Sequence, residues 1–186
     1  MQRQGELSLP ALRRFFDKWL YCTFVDLGLR SDGVRDYLTD LLTRFARTEN
    51  LYRLKAWGGK EVLTVVEMLI EAEARAHPES PQFNPNDERE IRRHVGDYTM
   101  FMTGIFREYV TNIGVLDLYL KQGELAYLGV SELDEIAERQ TAPLFRRLFR
   151  EFERLSGALD YMKKVYFRPD IQPGEFRSLI DRLSRW

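Results

Sequence analysis

Two histidines and one cysteine are all the imidazole and thiol in this chain of 186 residues, and both histidines stand four residues after a glutamate. Glu73 precedes His77, and Glu90 precedes His94. Positions four apart share one face of a helix, so each pair can present a carboxylate and an imidazole together. Pro78, Pro81 and Pro85 lie between the two pairs. If the flanking segments are antiparallel helices, the proline loop brings Glu73, His77, Glu90 and His94 to one end of a bundle, where mixed nitrogen and oxygen donors suit a divalent metal. Glu73 also falls on the arc of Val62, Val66 and Leu69, where a carboxylate needs a partner. Two features oppose this reading. The spacing differs from the Glu-x-x-His of di-iron bundles, and a residue before proline, as His77 is, tends to leave the helix. The plainer alternative makes His77 a residue near a helix C-terminus and His94 an edge-of-core histidine bonded to Asp97 or Glu90.

His94 and Asp97, three apart, also have the types of a general base and its orienter, but the nucleophile or substrate proton would have to come from elsewhere in the fold. The small Cys and His count excludes clustered zinc sites. Gly58-Gly59-Lys60 lacks the earlier glycine and the following Ser or Thr of a phosphate-binding loop. No cofactor other than that divalent metal is implied. The 12 Phe, 9 Tyr and 3 Trp raise a different prospect, an apolar pocket between helices lined by Phe15, Trp19, Phe101 and Tyr109, although core filling accounts for most large rings. Arg139, Arg146, Arg147, Arg150 and Arg154 form a basic row that could grip phosphates. Glu151 and Glu153 interrupt it, which favours a salt-bridged helix face over nucleic acid.

These residues would be positioned by helices. Ser8 caps a first helix with Pro10 in its first turn, ending near Gly28. Ser31 or Asp32 starts a second, whose stripe is Val34, Leu38, Leu41 and Phe45. A third begins near Lys60, after the Gly58-Gly59 break, and runs to about Ala76. Residues 77–86, with their three prolines, are an irregular connection. Asp87 followed by Glu90 resembles a capping box opening a helix that stops near Asn112 or Gly114. On it, Ile91, Val95, Tyr98, Met102, Ile105 and Tyr109 alternate four and three apart, while Gly96, Met100, Thr103 and Gly104 leave a second, narrow face for close approach by another backbone. Residues 116–137 suggest two shorter helices broken near Gly123 or Gly129. From Pro143 a long helix carries Phe145, Leu148, Phe152, Leu155, Leu159, Met162 and Tyr166 at the spacing of a bundle or coiled-coil seam. A short helix around residues 175–185 finishes the chain.

No strand-like alternation appears, so the expected architecture is all-α, a single domain over residues 1–186 with six or seven helices. The composition, 44% hydrophobic and 31% charged, is that of a globular chain. The net charge of −1 conceals segregation: residues 1–60 carry +4, 61–138 carry −10 and 139–186 carry +5. The acidic middle is expected to pack beside basic ends. Lone Cys22 excludes a disulfide within the chain, and the start shows no secretory pattern, which makes the cytoplasm the expected compartment. The longest apolar runs are too short to span a bilayer.

The run H-V-G-D-Y-T-M-F-M-T-G-I-F-R-E from His94, with Tyr119, Gly123 and Tyr127 and then L-F-R-R-L-F-R-E-F-E-R-L-S from Leu144, resembles an uncharacterised family of bacterial all-helical proteins. The resemblance spans about residues 91–165. It implies a bacterial cytoplasmic protein and brings no activity or ligand with it.

These features favour a non-catalytic helical protein over an enzyme. It would act by protein–protein interaction or regulation and self-associate as a homodimer through an aromatic or heptad-patterned helix face. The alternative, from another class, is a bundle that binds an apolar small molecule or a divalent metal and acts on it.

Overall fold

Ser8 and Ser31 open the first two helices by the same device. Each holds an extended or near-extended backbone, and its hydroxyl accepts from the amide three residues on, Ala11 and Val34, at 3.3 Å; this satisfies a donor that the first turn leaves orphaned. A computed structural model describes residues 7–47, 85–168, 170–172 and 174–184 of the chain. Among them are eight α-helices and no strand: α1 (Leu9–Asp26), α2 (Asp32–Phe45), α3 (Pro85–Ile105), α4 (Arg107–Asn112), α5 (Leu116–Ile136), α6 (Ala142–Arg150), α7 (Phe152–Tyr166) and α8 (Arg177–Ser184), with a 3-10 turn at Gly174–Phe176. The all-α bundle is therefore shown. The expected third helix, Lys60 to Ala76, and the possible extension of the second to Tyr52 lie outside the described residues. Gly28 ends α1 at φ +62°, a left-handed conformation that glycine adopts without steric cost.

Helix α3 is the axis of the bundle. It packs most extensively on α5 and also on α7, while α1 packs on α2 and α7, and α5 on α6. Both of its faces are occupied as the sequence suggested, and the partners belong to the same chain. A β-carbon on Gly96 would lie 2.5 Å from the Tyr127 ring, and one on Gly104 would lie 2.6 Å from Leu159 Cβ. The narrow face thus lets α5 and α7 approach.

Four boundaries differ from expectation, each for a local reason. Helix α3 begins at Pro85, not after Asn86: proline is tolerated where the first-turn amide has no acceptor anyway, and Asp87 and Glu88 then sit in the first turn, at the positive end of the helix dipole. Its far end breaks at Phe106 (φ −112°, ψ 33°) before continuing as α4. At that break the Lys163 ammonium donates to the Ile105 carbonyl at 2.7 Å, compensating the carbonyl that the helix leaves open. Helix α5 runs unbroken through Gly123 and Gly129. Gly123 is there for space, since a β-carbon would come within 2.1 Å of Phe152 Cζ and 2.5 Å of Thr99 Oγ1. The long helix expected from Pro143 divides at Glu151 (φ −109°, ψ 14°) into α6 and α7.

The division does not interrupt the apolar seam. Phe145, Leu148, Phe152, Leu155, Leu159 and Met162 are all buried and Tyr166 partly so. They face the chain's own core, with α6 against α5 and α7 against α3. The heptad-patterned face is consequently consumed inside the bundle. A thin polar line crosses this packing: Arg107 donates to Ser156 Oγ at 3.0 Å, and Ser156 donates to Thr103 Oγ1 at 2.9 Å. No helix among the described residues is long and apolar enough to cross a membrane.

Candidate functional site

Asp97 is 1% exposed and sits where α2, α3 and α5 meet. Its Oδ1 accepts from the Tyr37 hydroxyl at 2.5 Å and from the Tyr127 hydroxyl at 2.8 Å. Its Oδ2 accepts from Arg44 at 2.8 Å, with the Arg93 Nε 3.7 Å away. A buried carboxylate is costly unless charged and neutral donors surround it, and here every side of the group is engaged. Burial, reinforced by the charge of Asp97, pushes the Tyr37 and Tyr127 hydroxyls well above the ordinary tyrosine value. They remain protonated donors, unsuited to act as bases or nucleophiles.

Asp134 forms a second buried anchor. It is fully buried and receives Arg89 in bidentate fashion at 2.5 and 2.9 Å, Arg139 at 3.1 Å and the Thr141 hydroxyl at 2.6 Å. Burial alone would raise its carboxyl; the hydrogen bonds from Arg89, Thr141 and Arg139 outweigh that and hold it at about 2. Arg89 also lies 5.4 Å from the Phe145 ring centroid, and Arg139 bonds Asn86 Oδ1 at 2.6 Å. Asp134 therefore fastens the end of α5 to the start of α3 and of α6. The two clusters are clamps between helices, and their electrostatics serve position more than reaction.

The proposed metal donors are placed as follows. Glu73 and His77 lie outside the described residues. Glu90 is paired with Arg89 at 2.5 Å and with Arg93 at 3.6 Å. His94 is exposed, and its ring lies over Phe45 with centroids 6.3 Å apart. Desolvation lowers its imidazole, with Asp97 opposing and Arg44 assisting. Neither Asp97 nor Glu90 is hydrogen-bonded to it among the described residues, because Asp97 turns inward to the tyrosines. Among those residues no group of three His, Cys, Asp or Glu is arranged to hold a metal.

The four aromatic pocket candidates separate. Phe101 is fully buried, stacked on Phe45 at 5.0 Å and edge-on to Phe106, and Tyr109 packs on the core. Phe15 and Trp19 border an open cleft of about 260 Å³ between α1 and the C-terminal turn, together with Arg14, Lys18, Gln172 and Phe176. The arginine row is largely salt-bridged: besides Arg139, Arg146 pairs with Glu135 at 2.6 Å, and Arg147 pairs with Glu151 and donates to the Arg30 carbonyl, both at 2.9 Å.

Tyr37, Arg44, Arg89, Arg93, Tyr127, Asp134 and Thr141 are the site residues that pattern reading missed. Two signals were present. Gly123, Tyr127, Val130 and Asp134 fall four, three and four apart on one helix face, and Asp97, Phe101 and Gly104 fall four and three apart on another. A carboxylate in such a row is a buried one. No family model matches the chain, and neither the curated proteins nor the solved structures contain a match to it.

Proposed function

We propose that the chain is a non-catalytic helical protein that acts by protein–protein interaction, with a second copy of itself as its first partner. The observation that carries this is a row of exposed apolar side chains on α5: Leu118 is 37% exposed, Leu125 40% and Ile136 81%. They are 7 and 11 residues apart, two and three helical turns, so they form a straight line along one side of the helix. Lys121 and Glu132, both exposed, flank that line on the same side. When two such helices meet antiparallel about a two-fold axis, residues on the same flank face each other. Lys121 of one copy then lies near Glu132 of the other, on both sides of the axis. Self-association through α5 takes the place of the heptad face, whose residues from Phe145 to Met162 are buried in the chain's own core. The engaged oxygens of Asp97 and Asp134 support the non-catalytic part of the reading. Cys22, free of any disulfide, suits a reducing bacterial cytoplasm.

Sedimentation velocity over a concentration series tests the proposal. The wild type should show a concentration-dependent dimer. Ile136→Asp and Leu125→Asp should be folded monomers with the helical circular dichroism of the wild type, since both positions are exposed. Lys121→Glu and Glu132→Lys should each weaken the dimer, and combining them should restore it. A wild type that stays monomeric to about millimolar concentration refutes the reading.

A further inference from the structure

The apolar row on α5 contains a notch. Leu118, Leu125 and Ile136 are exposed, and half-buried Gly129 stands between the last two, four residues after Leu125 and seven before Ile136. With Gly129 included, the row steps by 7, 4 and 7 residues, so it reads the same in both directions about residue 127. Steps of four and seven keep all four positions on one side of the helix. Resting on the self-association proposed above, we infer that Gly129 is the seat for Leu125 of the other copy and fixes the register in which two α5 helices pair.

The chain's own packing does not require a glycine here. Glycine weakens a helix interior relative to alanine, and α5 accepts that weakness at Gly123 because a β-carbon would strike the Phe152 ring. At Gly129 the atoms nearest to such a β-carbon are Arg92 Cδ at 2.8 Å, Nη1 at 3.1 Å and Nε at 3.2 Å. They belong to a long side chain, 28% exposed, that can turn outward. The missing side chain leaves a shallow hole on the exposed face, of the kind that receives a knob from a facing helix.

Symmetry supplies the knob. In a pair related by a two-fold axis, residue i meets residue j and j meets i, so palindromic spacing brings every member of the row onto another member. An axis opposite residue 127 does this here: Leu125 of each copy meets Gly129 of the other, and Leu118 meets Ile136. The charges select the same axis independently. Lys121 and Glu132 are centred between residues 126 and 127, so the register that seats the two leucines also sets an ammonium beside a carboxylate on both sides of the axis. The occupant is therefore a second copy of this chain in antiparallel orientation. A parallel pair would put Lys121 on Lys121 and leave Gly129 facing Gly129.

Cross-linking reads the register. In a Cys22→Ser background, Leu118→Cys and Ile136→Cys proteins are mixed in equal amounts, at a concentration where the wild type is a dimer, and treated with a short bis-maleimide. The mixture should give a covalent dimer, and either protein alone at least about fivefold less, because like positions lie 18 residues, about 27 Å, apart along the pair. In sedimentation velocity, Gly129→Ala should dimerise at least about fivefold more weakly than the wild type, with the same helical circular dichroism. A wild type that remains monomeric overturns self-association and this register with it. A wild-type dimer in which like positions cross-link as readily as unlike ones, in which neither combination cross-links, or whose dissociation constant is unchanged by Gly129→Ala overturns the register alone.

Discussion

Replacing Asp97 with alanine strands donors from three helices at once, and the cost can be apportioned. Tyr127 is fully buried, so its hydroxyl loses its acceptor with no access to water; a stranded buried donor costs about 1–3 kcal/mol. Tyr37 is partly buried and keeps a long contact from Arg93 at 3.4 Å, so it loses less. The Arg44 side chain is 44% exposed and can turn to solvent. The sum is about 3–5 kcal/mol, the range found when one partner of a buried ionic cluster is removed. For a chain of this size that corresponds to a fall in Tm of roughly 8–15 °C. The more discriminating experiment is a cycle with Tyr127→Phe, read by urea denaturation followed by circular dichroism. In the wild-type background, Tyr127→Phe should cost about 1.5–3 kcal/mol, one hydrogen bond to a charged group. In the Asp97→Ala background the same change removes a donor whose carboxylate partner is gone and which has the Tyr37 hydroxyl beside it, so it should cost clearly less. The size of the Tyr127→Phe loss therefore depends on residue 97. Equal losses in both backgrounds, or an Asp97→Ala cost under about 1 kcal/mol, would show that the hydroxyl and carboxylate are not partners.

Asp134 gives a prediction in pH. Its folded value of about 2 lies below the ordinary 3.8, so the stability it adds is complete above about pH 4 and is lost as the pH falls toward 2; the stability gap between wild type and Asp134→Asn, measured by urea titration, should shrink over that interval and stay flat above it. Two glycine replacements should act in opposite directions in thermal melts. Gly123→Ala places a methyl within 2.1 Å of the Phe152 ring and should destabilise by about 1–3 kcal/mol. Gly157→Ala, in the middle of α7 with nothing within 4 Å, should stabilise by up to about 1 kcal/mol. Lys163→Met removes the donor to the Ile105 carbonyl and should speed amide hydrogen exchange at the Phe106 break while leaving α1 and α2 unchanged.

Local chemistry was the legible part of this fold. Serine caps, the glycine stop after α1 and the three–four spacing of the Phe145 to Met162 seam are each written within a few residues, and the structure follows them. The interruption at Glu151 left no trace because the seam keeps its period across it. Gly123 and Gly129 were ambiguous for a physical reason: a glycine in a helical pattern signals either a break or a close neighbour, and only the position of Phe152 decides. The clamps were half legible. The burial of Asp97 and Asp134 follows from helix periodicity, but Tyr37 and Arg44 lie on another helix, 60 and 53 residues away, and no local pattern names such partners. The paired spacing of Glu90 and His94 did not show that neighbouring arginines pair with Glu90, and Glu73 and His77, the other half of that spacing, lie outside the described residues.

That separation along the chain also orders events in time. The contacts of α3 with α5, α5 with α6, and α6 with α7 join neighbouring helices through short connections, whereas the bonds from Tyr37 and Arg44 to Asp97 close loops of 60 and 53 residues. Closing a longer loop costs more chain entropy before any contact repays it. The segment from Pro85 to Tyr166 should thus assemble first, and the α1–α2 hairpin should dock onto it afterwards. Asp97 would spend that interval with Tyr127 and Arg93 beside it, so the carboxylate that latches the finished bundle acquires its second tyrosine and its closest arginine when α2 arrives.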